Sequence, residues 1–466
     1  MTRTLAAALL SASAVTAFAT PVHAQEISAD EAAQLRAQIT AMKAQLATLE
    51  ARIAATDRTA QAAGQAAANA DVKAQAATEA AGKATTAANG VPSIAWKGAP
   101  EFEGEGGWSF KPRGRLQYDA ASVGSPAGVT DRGLGFGNEV RRARLGVEGD
   151  IPGGFGYKFE LDFAGNSTEI TDAVLTYKDK GLGITIGQHN NFQSLEELTS
   201  SRFLTTMERA AFTDAFNFER RVGVSAAYTS GAVLVQGGAF TDNIADLNND
   251  ENNSYGFDGR IVFMPKLGAT QLHLGASAHY RDLNDAAASV RYRQRPFVHT
   301  SDTRFLDTGA ISASAEKSYG LEAAAINGPF HVAGEAYWQN VSRPGLADPT
   351  FFGGYAEVGY FLTKGDTRGY KNGTFDRVKP KNGVEKGGLG AVQLNLRYDY
   401  LDLNDGLIVG GKQNGYAVSL VWTPTAYTRF MVNYGRMQYD DAAVPAAGGD
   451  RSYGIDVFGV RSQIDF

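Results

Sequence analysis

The residues in this chain best suited to chemistry are arginines set side by side or one apart: Arg113 and Arg115; Arg141, Arg142 and Arg144; Arg220 and Arg221. Arg202 and Arg209 stand between the last two groups. A guanidinium is a planar fork of donors that keeps its charge at any physiological pH and matches the oxygens of phosphate. Spacing by two places Arg113 with Arg115, and Arg142 with Arg144, on one face of a strand. Two such strands side by side would present a positive face to anions. The competing reading is that the arginines brace the wall. Glu148, Glu160 and Asp162 lie on neighbouring strands, and Glu196, Glu197, Glu208 and Glu219 flank the basic residues of 189–218. Arg141 has the opposite parity to Arg142 and Arg144. Near a membrane rim it would reach for lipid headgroups, unless a bulge shifts the strand.

No catalytic or metal-binding set competes with the arginines. His189, His273, His279, His299 and His331 are scattered and lack metal-ligand spacing. No nucleophile elbow is present, and the glycines of 387–390 lack the lysine and strand–helix context of a phosphate loop. The chain has no cysteine, hence no disulfide, thiolate metal site or cysteine nucleophile. The reading calls for no cofactor. Basic residues alternate with acids, which argues against nucleic acid as a partner.

The elements that must hold these arginines are strands. In 110–120, Phe110, Leu116, Tyr118 and Ala120 oppose Lys111, Arg113, Arg115, Gln117 and Asp119. In 138–149, Val140 shares a face with Arg142 and Arg144, opposite Ala143, Leu145 and Val147. In 392–400, Val392, Leu394, Leu396, Tyr398 and Tyr400 oppose Gln393, Asn395, Arg397 and Asp399. The final strand sets Phe458, Val460, Ile464 and Phe466 against Arg461, Gln463 and Asp465. Ten-residue segments that are apolar on one side and charged on the other suit a wall between lipid and water. A soluble sandwich also alternates, but here the connections alternate in length. Short turns (Pro152-Gly153-Gly154, Ser230-Gly231, Asn327-Gly328-Pro329) are separated by longer polar loops.

The expected fold is therefore all-β. Residues 110–466 form a sixteen-stranded antiparallel transmembrane β-barrel, with strands centred near 115, 145, 160, 175, 186, 224, 236, 260, 275, 322, 335, 357, 396, 419, 432 and 460. The chain has 54 Gly, 25 Phe and 19 Tyr against 14 Pro, a profile expected of tight turns and aromatic girdles. After the first 25 residues no apolar run is long enough for a transmembrane helix. One short-turn connection breaks the rule: 363–388 is long and rich in Lys, Arg and Gly. The long early loop, about 189–218, contains Leu195, Leu198, Phe203, Leu204, Met207 and Phe212. A loop this apolar should pack against the inside of the wall. The net charge of −6 does not set selectivity, which depends on where charges sit.

Two further segments precede the barrel. Residues 1–24 read as a secretory signal peptide: Arg3, an apolar stretch from Leu5 to Phe18, and a small-x-small site at Val22-His23-Ala24. In 26–89, Leu35, Ile39, Met42, Leu46, Leu49 and Ile53 are spaced 4, 3, 4, 3, 4, an a/d heptad seam. The register continues as Ala60, Ala63, Ala67, Ala70, Ala74, Ala77 and Ala81, which buries less area. An N-terminal α-helical coiled coil in the periplasm is expected, the alternative being a solvated, partly helical alanine-rich linker. Residues 90–109 read as a linker.

Several stretches resemble the phosphate-selective porin O and P family of Gram-negative outer membranes. They are 138–149 (NEVRRARLGVEG), Gly187-Gln188 with 194–210 (SLEELTSSRFLTTMERA), 219–224 (ERRVGV), and 375–380 (FDRVKP) followed by 387–403 and 410–414 (GGKQN). The resemblance implies a homotrimer of barrels in the outer membrane, surrounded by its lipid. It implies a third extracellular loop folded into the lumen as a constriction. It also implies conduction of small anions, phosphate or polyphosphate among them, through a basic pore. The family's pore arginines carry over best to Arg141, Arg142 and Arg202; Arg209, Arg220 and Arg221 match motif positions by resemblance. Passive anion diffusion is the expected function. The alternative is an unselective porin that serves mainly as a tether, its coiled coil reaching toward the cell wall.

Overall fold

The computed structural model describes residues 29–89, 93–165, 167–247, 252–285 and 288–466. The signal-peptide segment lies outside them. The chain divides into two compact units, Met1–Asn89 and Gly90–Phe466.

The first unit is described by one helix, α1 (Ala29–Asn89). Alanine-rich sequence favours it, Asp30 and Glu31 sit favourably in the first turn, and Thr40, Thr48 and Thr56 bond back to carbonyls four residues earlier. The helix is continuous, unlike a partly helical linker. The seam residues from Leu35 to Ile53 are all exposed along it.

The second unit is a closed barrel. Its strands are β1 (Ser109–Val123), β2 (Gly135–Ile151), β3 (Phe155–Asp162), β4 (Glu169–Asp179), β5 (Leu182–Asn190), β6 (Arg220–Ser230), β7 (Val233–Phe240) and β8 (Tyr255–Phe263). They continue as β9 (Thr270–Asp282), β10 (Ala315–Asn327), β11 (Phe330–Ser342), β12 (Thr350–Phe361), β13 (Ala391–Asp405), β14 (Ile408–Thr425), β15 (Thr428–Asp440) and β16 (Tyr453–Asp465). Each pairs antiparallel with the next, and β16 closes on β1 with Val457 opposite Val123 and Asp465 opposite Arg115. All sixteen expected centres fall inside these strands.

The barrel inverts the usual distribution of a water-soluble protein. Leu116, Leu274, Leu396, Phe458 and Val460 are exposed, while Arg115, Gln117, Asp119, Arg397, Arg461 and Gln463 are buried. Aromatic pairs mark both rims: Phe330 with Tyr360 near the 328–329 turn, Trp338 with Phe352 near the 343–349 loop. Such girdles belong to a wall in a bilayer.

Three details depart from the sequence-based expectation. The linker stretch holds a small hairpin, Ser93–Trp96 with Pro100–Glu103, that continues onto the start of β1 through Phe102 opposite Phe110; Ile94, Trp96 and Phe102 favour strand. The length rule fails at 405–408 as well as at 362–390, because β13 and β14 share a tight turn at Gly406-Leu407. Finally, β1 and β2 slip register at Arg141: Gln117 faces Arg142 and Tyr118 faces Val140. This bulge sends Val140 outward beside Tyr118, not into the lumen.

Candidate functional site

Three connections pack against the inner face of the barrel. The third connection on the long-loop side, 191–219 between β5 and β6 (hereafter the third connection), is tied to strands far along the chain. The Glu335 carboxylate accepts the backbone N–H groups of Leu195 (2.9 Å) and Glu196 (2.7 Å). Asn433 accepts from Met207 N–H (2.7 Å), and Asp399 accepts from Ala211 N–H (3.0 Å). Arg429 donates to the carbonyls of Arg202 (2.6 Å) and Leu204 (2.7 Å). Leu195, Leu204, Met207 and Phe212 are fully buried against the wall. Phe212 stacks on Tyr337, ring centres 5.0 Å apart. The wall supplies space for this packing: a Cβ on Gly353 would collide with the Phe212 Cβ, and one on Gly459 with Met207.

The second inward connection is 283–314. It buries Tyr292, Phe297, Val298, Phe305 and Leu306. The last of these inward segments comes from the opposite, short-turn end. Residues 362–390 reach up so that Tyr370 Oη meets His273 (2.7 Å) and Phe375 N–H donates to Thr199 Oγ1 (3.3 Å).

Between the third connection and β1–β6 lies a cavity of about 610 Å³. Arg113, Arg115, Arg141, Arg142, Arg144, Arg202, Arg209 and Arg220 all line it; Arg221 does not. Arg221 is buried beside Glu219 (3.2 Å). Counting every lining residue, ten Arg and Lys face six Asp and Glu. The rim position expected for Arg141 is thus corrected: the bulge turns its guanidinium inward onto Glu208 (2.9 Å).

Most of these arginines are paired. Arg113 meets Glu148. Arg144 meets Asp162 (2.7 Å) and Glu160 (3.3 Å). Arg209 meets Glu197 (3.2 Å) and donates to the carbonyls of Glu196, Glu197 and Thr199. Arg220 meets Asp172 (3.2 Å), which also holds Lys158 (2.6 Å). Arg202 lies 3.7 Å from Asp465.

Arg115 and Arg142 differ. Both are nearly buried, and their partners are neutral: Arg115 donates to Ser201 Oγ (2.6 Å) and Arg142 to Gln117 Oε1 (2.8 Å). The Arg115 Nε has no acceptor. Two buried cations with carboxylates only at a distance, and none in direct ion-pair contact, are costly unless an anion visits them.

The acids of the third connection are not equivalent. Burial pushes the Glu208 carboxyl up, but the guanidiniums of Arg141, Arg461 and Arg142 outweigh it and hold Glu208 well below the usual carboxylate range. Burial also pushes Glu197 up, and there Arg209, Arg220 and Arg142 offset it only in part, so its carboxyl stays above the usual range.

Sequence reasoning missed Lys158, Arg295, His299 and Asp399 on the cavity wall. Arg295 and His299 come from 283–314, whose own apolar residues carry the same signal that marked the third connection.

A closed barrel, greasy outside and polar inside, with connections packed across its lumen defines a membrane channel. Residues 110–466 match the family described as phosphate-selective porin O and P, and the chain belongs to that family. It is an outer-membrane porin, a channel and not an enzyme. An uncharacterized protein of Caulobacter vibrioides is 48% identical over 98% of this chain and 95% of its own length. Porin O of Pseudomonas aeruginosa is 27% identical over 65% of this chain and 74% of its own. Among solved structures, Pseudomonas putida OprB shares the fold with a TM-score of 0.51 at 11% identity, covering 78% of this chain and 95% of that one.

Proposed function

We propose that this porin passes small hydrophilic anions, phosphate among them, by passive diffusion through a pore constricted by the inward-folded third loop. The observation that carries the reading is the cavity in which cationic groups outnumber acids and Arg115 and Arg142 hydrogen-bond to neutral partners without an ion pair. Guanidinium forks suit a tetrahedral oxyanion. The arginines paired with Glu and Asp brace the wall and set the field, so an anion is attracted without being trapped. Arg113, Arg141, Arg144, Arg202, Arg209 and Arg220 have this mixed role. Arg221, beside Glu219 and off the cavity, braces. The family description, phosphate-selective porin O and P, agrees with this reading.

The test is single-channel recording of purified protein in planar bilayers under a chloride gradient, repeated with inorganic phosphate. An anion-selective reversal potential with chloride current blocked by phosphate supports the reading. An unselective or cation-selective pore without block overturns it.

A second role is favoured by the exposed Leu/Ile/Met seam of α1. In a homotrimer, three such helices would pair through it as a periplasmic coiled coil. A helix of 61 residues spans about 90 Å at 1.5 Å per residue, enough to reach toward the cell wall as a tether.

A further inference from the structure

Below Phe203, where 362–390 meets the third connection, four guanidiniums gather. Arg202 and Arg377 flank the Phe203 ring, at 4.9 and 5.2 Å from its centre. Arg368 donates to the Phe203 carbonyl (3.0 Å) and lies over Phe375. Arg429 holds the carbonyls of Arg202 and Leu204 and lies within electrostatic reach of Arg368 and Arg377. Among the described residues, Asp465 is the only carboxylate ion-paired with any of the four: Arg377 meets it directly and Arg202 lies 3.7 Å away. Glu357, the next acid near Arg368, is held by Arg397 at 2.8 Å.

Arg368 and Arg429 are only 5% and 7% exposed, and each has a buried Nε–H with no acceptor. Buried donors and buried charges are normally satisfied. Here the missing partner has a definite chemistry: negative, small, and able to accept from guanidinium N–H groups.

We propose that Arg202, Arg368, Arg377 and Arg429 form a second anion site on the short-turn side of the third connection, taking a small inorganic anion such as phosphate or chloride. The site is separate from the Arg115/Arg142 cavity but shares Arg202, which lines that cavity and also faces Asp465. An anion leaving Arg115 and Arg142 would therefore meet a second cationic step before the barrel mouth. The inference rests on the barrel being an anion conduit.

The test adds inorganic phosphate to one chamber at a time across planar bilayers holding the full-length protein, wild type or R368Q/R429Q. Block from the chamber facing the 362–390 segment should weaken at least tenfold in the double variant, with block from the other chamber within twofold of wild type. An equal change from both sides, or none, overturns the second site. Wild-type crystals soaked in sodium bromide read the same cluster without a substitution, should the variant not fold. An anomalous peak among the four guanidiniums supports the site, and an empty cluster overturns it. A wild-type channel that phosphate blocks from neither side would instead sink the Arg115/Arg142 reading, and the bromide result would still decide this one.

Discussion

Arg115 and Arg142 differ from the other cavity arginines in one physical respect: among the described residues neither is ion-paired, so removing either breaks no salt bridge. Arg142→Gln puts an amide beside Gln117 and deletes a positive charge. It should weaken phosphate block about tenfold, roughly 1.4 kcal/mol, and move the reversal potential toward zero under a chloride gradient. Arg144→Gln should do something else. It removes the ion-pair partner of Asp162 and one of the cations around Glu160, so thermal stability in detergent should drop, because breaking a buried pair leaves an uncompensated charge. Glu197 gives a pH signature. Its carboxyl is held above the ordinary value of about 4.3, so it becomes neutral at a higher pH than a free glutamate would. Falling pH removes a negative charge from the lumen, and anion preference should rise. Glu197→Gln should show the acid-side preference throughout and flatten that part of the profile; a reversal potential measured from pH 8 to pH 4 checks both. Much of this was legible at single residues. Parity put Arg113, Arg115, Arg142 and Arg144 inside correctly, since a strand's period of two is rigid. Parity alone misplaced Arg141, which the family resemblance put at the pore, because a bulge depends on how two strands pair and one strand's sequence does not fix it.

The strands read cleanly because lipid on one side and water on the other force strict alternation. The burial of apolar residues in 191–219 has a related cause: Leu195, Phe203, Leu204 and Phe212 have no place in solvent. The 283–314 connection carries the same signal in Phe297, Val298, Phe305 and Leu306, yet its partners lie on strands that sequence alone does not bring near. The wall glycines opposite the third connection show the other half of this packing. Gly353 faces Phe212 so closely that any side chain there must move it. Gly353→Ala should therefore loosen the connection, giving a larger and noisier conductance in single-channel records. Phe212→Ala should loosen it as well, at a stability cost on the order of 3–5 kcal/mol for a fully buried phenylalanine.

For the whole molecule, the proposed conduction and the proposed tether fall to different units. The barrel holds every group the conduction argument needs, and α1 contributes an exposed seam. Deleting residues 29–89 should leave single-channel conductance and selectivity unchanged while lowering the temperature at which an oligomer dissociates on semi-native gels. Loss of conductance in a barrel that still folds would sink that division. The cross-lumen ties also impose an order on assembly. Leu195 and Glu196 wait for Glu335 on β11, Ala211 for Asp399 on β13, and Met207 for Asn433 on β15 and Arg461 on β16. Contacts this distant in sequence form late. The loop packing inside this barrel can therefore be completed only after its last strand is in place, and a barrel stalled short of that point would leave a wider hole in the envelope.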